Sequence, residues 1–272
     1  MVNKINFVRR PAYCKETIDA IVSALDAQGI SSKNVRSNNQ HIDCDILFRW
    51  GFSGYYNAKY NVEINSPRSI SISANKRSSR ILLQQEGFSV PQSFVSISEV
   101  PQNLFPVIIR PEYHHAGQDI IIAEDSNVKI PYSPYYVSQY MKKTREIRAY
   151  IFNSRIFGMA DKIPKDINAI AWNHAQGGSF QNIRWGNWPM EGAELALKSS
   201  EFLGLNFSAV DLMFYEDRWY ILELNTAPTL TPYRINCFVK ALVGYINGNI
   251  YSMPESYENY ESTISPELME EN

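Results

Sequence analysis

Between residues 208 and 228 the sequence reads SAVDLMFYEDRWYILELNTAP, two apolar strand-like runs joined by a short charged turn. Each run carries one acid where a buried strand ordinarily has an apolar residue: Asp211 in the first and Glu223 in the second. Side chains alternate across a strand, so Ile221, Glu223 and Asn225 share one face while Leu222 and Leu224 share the other. With Glu216, Asp217 and Arg218 as a three-residue turn, Tyr215 opposes Trp219 and Asp211 stands opposite Glu223. Two facing carboxylates repel and weaken a sheet. A divalent cation reverses that sign, and two carboxylates with an amide oxygen are the hard donors that Mg²⁺ prefers. The alternative is a pair of acids on a solvent-facing edge hairpin, which the apolar neighbours of both acids oppose.

Composition sets the outer limits. The chain has 272 residues, enough for one large or two modest domains, and 13% aromatic content excludes disorder for its bulk. A formal net charge of -2 argues against a general grip on nucleic acid. No run nears the ~18 apolar residues of a membrane span, and the start lacks a signal-peptide core. Cys14, Cys44 and Cys237 are odd in number and widely spaced, which reads as reduced thiols in a cytoplasmic protein. Residues 250–272 hold six Glu and no Lys or Arg, the composition of a solvated acidic tail. Without those six charges the body carries +4, a mildly basic surface suited to an anionic ligand.

Periodicity places the other elements. Residues 5–9 form a strand, 15–28 a helix with Ile18, Ile21, Val22 and Leu25 on one face, and 45–50 a second strand, giving a βαβ-like unit. A helix starts near Asn75 and stops at Gly87, followed by a short strand in VPQSFV, a buried strand in FPVIIRP and another at 120–122. Strands at 148–152 and 155–159 are joined by Asn153-Ser154 as a tight turn, and a helix over 193–203 precedes the last hairpin. GxGxxG after the first strand, GxxxxGK[ST], the kinase signatures and GxSxG are all missing.

This order of motifs resembles the ATP-grasp superfamily of carboxylate–amine ligases from about residue 75 to 232. In that family an Asp on one strand and Glu-x-Asn, then Pro, on the next hold magnesium. The resemblance assigns Asp211, Glu223 and Asn225, with Pro228 following, to that role. NKRSSRILLQQEGFSVP resembles the family's first helix, with Lys76 either a nucleotide contact or a solvated helix lysine. FPVIIRP stands where a strand ends in Lys-Pro, so Arg110 replaces the lysine that holds the α- and β-phosphates; the alternative is an arginine in a structural salt bridge. EYHHAGQD matches the phosphate-covering loop, where Gly117 permits close backbone approach and His114-His115 read as polar loop residues. The hinge that reads adenine corresponds to Gln139, Tyr140 and Met141, and Glu146 corresponds to the acid that binds ribose. Arg148 then completes a Glu-x-Arg pattern typical of ligases that add glutamate to ribosomal proteins or cofactors; Lys162 falls near the γ-phosphate. WNHAQGGSF resembles the Asn-x-x-x-Gly-Gly loop of the same ligases, with Asn173, Gly177 and Gly178 matching.

The resemblance implies an α/β (α+β) chain of ATP-grasp fold, two α+β subdomains clamping ATP behind a small α/β unit. The expected division is 1–74, 75–142, 143–248 with the metal site, and an acidic tail at 249–272. It implies a cytoplasmic enzyme of a bacterial or phage-infected cell that uses ATP and two Mg²⁺ ions, with Mn²⁺ as an alternative. Its reaction is ADP-forming amide synthesis through an acyl phosphate, with Arg110, Arg148 and Lys162 stabilising phosphates and oxyanion. The substrates are a carboxylate and an amine, carried by a peptide, a protein tail or an amino acid, with Arg9, Arg10, Arg49 and Trp50 walling one side of their site. Neither nucleic acid nor a membrane is an expected partner. The rival readings are a kinase on the same fold and a nucleotide-binding protein without turnover.

Overall fold

The computed structural model describes residues 4–10, 14–36, 43–112, 119–172 and 176–248. The acidic tail lies outside them. Its first sheet is parallel, in the order β2-β1-β3-β4: β1 (Lys4–Arg9), β2 (Ser31–Arg36), β3 (Ile46–Trp50) and β4 (Val62–Ile64). Helix α1 (Lys15–Asp26) buries Ile18, Ile21 and Leu25 and ends before Gly29, whose φ of 76° suits glycine. The expected βαβ unit therefore has a further strand inside it. β2 is a polar edge strand, SSKNVR, with only Ser32 and Val35 buried, so no apolar run announces it.

Two short helices follow, α2 (Pro67–Ala74) and α3 (Lys76–Gln85). The Ser66 hydroxyl caps the first by accepting from the Ser69 N–H, and the Asn75 side chain caps the second by accepting from the Ser78 N–H. The second sheet is antiparallel, in the order β5-β8-β6-β7: β5 (Ser93–Phe94), β6 (Val107–Pro111), β7 (Ile121–Ala123) and β8 (Tyr135–Gln139). The third is antiparallel, in the order β11-β10-β9-β12-β13: β9 (Arg145–Phe152), β10 (Arg155–Ile163), β11 (Ser179–Ile183), β12 (Phe207–Tyr215) and β13 (Arg218–Asn225). Helix α4 (Met190–Phe202) packs on one face of this sheet, over Ile147, Ile151 and Leu212. Helix α5 (Pro232–Ile246), which no expectation above covered, packs on the other face with the first sheet.

That second face is divided along its length. Near the 153–154 turn it carries Tyr150, Phe152, Phe157 and Phe207, which join Phe48, Trp50 and Phe238 in one aromatic core. Phe48 lies 5.1 Å from Phe7, 5.1 Å from Phe207 and 5.6 Å from Phe238, so the first sheet, the third sheet and α5 share one interior. At the other end the same strands present Glu146, Arg148, Lys162 and Asp211.

Arg234 of α5 enters this sheet at a bulge in β10. Its guanidinium donates to the carbonyls of Phe157 and Met159 and to Asn182 Oδ1, where pairing with β9 shifts between Ile156 and Gly158. A Cβ on Gly158 would lie 1.1 Å from Arg234 Nη1. Gly158→Ala is therefore expected to cost about 3 kcal/mol in urea unfolding, through overpacking and lost charged hydrogen bonds. A cost below about 0.5 kcal/mol, the usual range of a surface substitution, would show that Arg234 can yield.

Candidate active site

A cavity of about 200 Å³ opens between the second and third sheets, with α3 closing one side. Lys76, Arg110, Gln139, Tyr140, Met141, Glu146, Arg148, Lys162, Asp211 and Glu223 all line it, brought together from α3, β6, the end of β8, β9, β10, β12 and β13. Gly117 and Asn173, like His114-His115, lie outside the described residues. Asn225 is described but is not among the lining residues; its Oδ1 accepts the Ala227 N–H at 2.8 Å.

The hairpin reaches the expected register by an unexpected route. The turn is two residues, not three: Glu216 and Asp217 adopt φ of 44° and 60°, and Tyr215 pairs with Arg218. Continued without interruption, that pairing would set Leu222 opposite Asp211 and send Glu223 to the far face. Instead the register shifts between Leu212 and Asp211, Leu222 is the extra residue, and Asp211 pairs with Glu223. The bulge also lets two consecutive residues, Leu222 and Glu223, face the cavity.

Every acid here has a basic partner. Asp211 is 2% exposed; Arg148 Nε and Nη2 donate to its two oxygens at 2.6 and 2.9 Å, and Lys162 Nζ donates to Oδ2 at 2.5 Å. Lys162 also reaches Glu146 Oε1 at 2.5 Å, and Lys143 holds the other oxygen of that carboxylate. Lys76 holds Glu223 Oε2. Burial alone would lower the Lys162 pKa, but Asp211 and Glu146 override it and hold the ammonium above its usual range. Burial opposes the charge on Glu223 as well, yet Lys76, then Lys162, keep its carboxyl well below the usual carboxylate range. Glu223 therefore keeps its charge through ion pairing.

Arg110 differs. Among the described residues it forms no ion pair, and its Nε–H is buried with no acceptor. A structural salt bridge is thus not what holds it. A half-buried cation with a buried, open donor beside a cavity suits an anion.

The donors suit a hard cation. Among the described residues Arg148 is the one donor on Asp211 Oδ1, and Lys76 sits on Oε2 of Glu223, so each carboxylate keeps oxygen lone pairs for a metal. Among the same residues no three His, Cys, Asp or Glu side chains are grouped to hold a metal.

Two of the cavity residues that were not anticipated are basic and bind the backbone. Lys143, two residues past the expected hinge contacts, donates to the Ile170 carbonyl at 2.9 Å and lies 4.8 Å from the Trp172 ring, tying the 167–172 wall to Glu146. Arg80 stands four residues after Lys76 on α3, a spacing that puts both on one helix face. The N-terminal wall was misplaced. Arg49 is buried on Glu63 and the Gly54 carbonyl, Trp50 lies in the aromatic core, Arg9 donates to Asn34, and none of the four, Arg10 included, lines the cavity.

Its family and its relatives make this chain an ATP-grasp enzyme of the ligase class. Residues 73–241 match the RimK-like ATP-grasp domain, and the chain belongs to that family. The tetrahydromethanopterin:alpha-L-glutamate ligase of Methanocaldococcus jannaschii is 24% identical over 212 residues, covering 70% of this chain and 70% of the relative. The glutamate–LysW ligase ArgX of Sulfolobus acidocaldarius is 24% identical over 219 residues, covering 68% and 73%. Among solved structures, the ATP-grasp ligase PsnB complexed with minimal precursor, Mg and ADP superposes with a TM-score of 0.64 at 13% identity, over 89% of this chain and 98% of that one. No helix among the described residues is long and apolar enough to cross a membrane.

Lys162→Met is expected to cost about 3 kcal/mol of stability, since it leaves Glu146 and Asp211 short of a counter-charge in a buried site. Adding Glu146→Gln should recover at least about 1 kcal/mol by removing one of the stranded charges. Urea unfolding of the single and double variants measures both; no recovery in the double variant would show that Lys162 acts by packing alone.

Proposed function

We propose that this chain activates a carboxylate with ATP and joins it to an amine, one of the two carried by a peptide, a protein or an amino acid. The observation that carries this reading is the charge arrangement of the cavity. Seven basic and three acidic side chains line it, and this cationic excess suits a polyphosphate. Asp211 and Glu223, with Asn225 beside them in β13, are the proposed holders of Mg²⁺, in two ions, with Mn²⁺ as a substitute. The metal, when bound, neutralises phosphate charge and orients the transferring group.

The protein side chains supply the rest. Lys76 and Arg110 hold the nucleotide phosphates, and Lys76 exchanges Glu223 for phosphate when nucleotide enters. Gln139, Tyr140 and Met141 border the base, with Ile108, Met213 and Leu222 as the apolar walls of the cavity. Glu146 binds ribose, sharing its charge with Lys143 and Lys162. The substrate carboxylate oxygen forms a bond to the γ-phosphorus as the bond to the ADP oxygen breaks, with Arg148 and Lys162 stabilising the transferring charge. The amine then bonds to the acyl carbon, phosphate leaves with the C–O bonding pair, and the amine loses a proton. By family resemblance Gly117 belongs to the segment that covers the phosphates and Asn173 is a further nucleotide contact, and residues 75–142 and 143–248 are the two halves of the clamp. A peptide-borne substrate draws support from PsnB, solved with a minimal precursor, and from the relative named for LysW. The proposed compartment is the cytoplasm.

Hydroxylamine separates the possible outcomes. With ATP, Mg²⁺ and the right carboxylate it should give a hydroxamate with ADP and phosphate in equal amounts. A stable phosphorylated product without hydroxamate, across a broad carboxylate panel, would establish a kinase instead. Arg110→Ala is expected to weaken ATP binding about tenfold or more, as loss of a charged hydrogen bond does, while adenosine changes little. Equal losses for both ligands in calorimetry would make Arg110 structural.

A further inference from the structure

Helix α3 meets β13 through two cations one helical turn apart. Lys76 takes the side chain of Glu223; Arg80 takes the backbone of the residue before it. Arg80 Nε and Nη2 donate to the Leu222 carbonyl at 3.0 and 2.9 Å. β13 is the edge strand of its sheet, and on its open side Arg80 takes the carbonyl of Leu222, the extra residue of the bulge, as the Ser73 hydroxyl takes that of Leu224. Arg80 is 3% exposed and forms no ion pair among the described residues. Its guanidinium otherwise lies 5.8 Å from the ring of Tyr136 in β8, so a single side chain touches α3, the bulge and the second sheet.

Burying a guanidinium without a carboxylate is costly, and a Met or Leu would fill the same space at lower cost. What an apolar side chain lacks is the two-pronged grip on one carbonyl. That grip falls where register decides the site, because the two-residue turn alone would turn Glu223 toward the core under α4.

We infer that Arg80 is a positioning residue: by chelating the Leu222 carbonyl it holds the bulge that sets Glu223, rather than Leu222, across from Asp211. The inference rests on the reading of Asp211 and Glu223 as a metal-binding pair. Arg80 need not touch the metal; it fixes the strand that presents one of its ligands. The role is specific to the bulge. If Leu222 were deleted, the uninterrupted ladder from the turn would bring Glu223 opposite Asp211 by itself, and Arg80 would have nothing left to hold in register.

The test measures how much Mg²⁺ improves ADP binding. Calorimetric ADP affinities are taken in excess Mg²⁺ and in EDTA for the parent chain, Arg80→Met and Arg80→Lys. The gain from Mg²⁺ should fall about tenfold in Arg80→Met, the size expected for lost charged hydrogen bonds, and severalfold in Arg80→Lys. Affinity in EDTA should fall by a smaller factor than affinity in Mg²⁺, because Arg80 adds its charge to the cavity while its bonds to Leu222 act on the metal ligands. In the Leu222 deletion, adding Arg80→Met should change the Mg²⁺ gain less than about twofold, the two sites being energetically coupled. An undiminished gain in a folded Arg80→Met variant overturns the inference, and if that variant does not fold, an undiminished gain in Arg80→Lys does so. Equal losses with and without Mg²⁺ also overturn it, since they mark a general packing role. Absence of any Mg²⁺ gain in the parent chain would instead sink the metal-pair reading beneath it.

Discussion

A carboxylate that is 2% exposed needs a partner for its charge, and the arrangement around Asp211 follows from that requirement. Arg148 faces it directly across the β12–β9 pair and Lys162 reaches it from β10, so three adjacent strands are tied at one end by a single acid. Lys162 in turn joins Glu146, and Lys143 fixes Glu146 to the wall at 167–172. The opposite end of the same sheet face carries the buried Arg234 guanidinium, which the Phe157 and Met159 carbonyls satisfy. There the aromatic core locks the first sheet and α5 onto strands β9, β10 and β12. One end supplies cohesion and the other a polar cluster open to ligand.

The charged cluster is balanced within itself. Lys76 pairs with Glu223, and Arg148 and Lys162 pair with Asp211, so each of the two facing acids has its counter-charge. On the proposed reading, phosphate groups and a divalent cation replace those internal pairs together. A metal alone would meet acids already engaged, and a phosphate alone would free an acid with nothing to take its partner's place. Arg110, with its open donor, can reach toward phosphate without breaking an ion pair among the described residues.

Much of this was legible in residue order. The apolar runs around Asp211 and Glu223 announce a buried hairpin, and motif order from Lys76 through Glu146 brings distant segments into one cavity. The hairpin also shows the limit. Glu216-Asp217 carries no glycine to signal a two-residue turn, and nothing in YILELN marks Leu222 as a bulge, so turn and bulge were both unseen while their effects on register cancelled. β2 was hidden because an edge strand needs few apolar residues. α5 was within reach: Thr231-Pro232 is a helix start, and Phe238 and Leu242 share a helical stripe. Arg49 and Trp50 misled because exposed-looking residue types at strand ends can be buried on local partners.

Exchange of ion pairs is most directly tested by a crystal structure of the chain with Mg²⁺ and a non-hydrolysable ATP analogue. Lys76 is expected to leave Glu223 for the phosphates, and Mg²⁺ to bind between oxygens of Glu223 and Asp211. Nucleotide seated in the cavity with the Lys76–Glu223 pair intact and no metal on either carboxylate would contradict it.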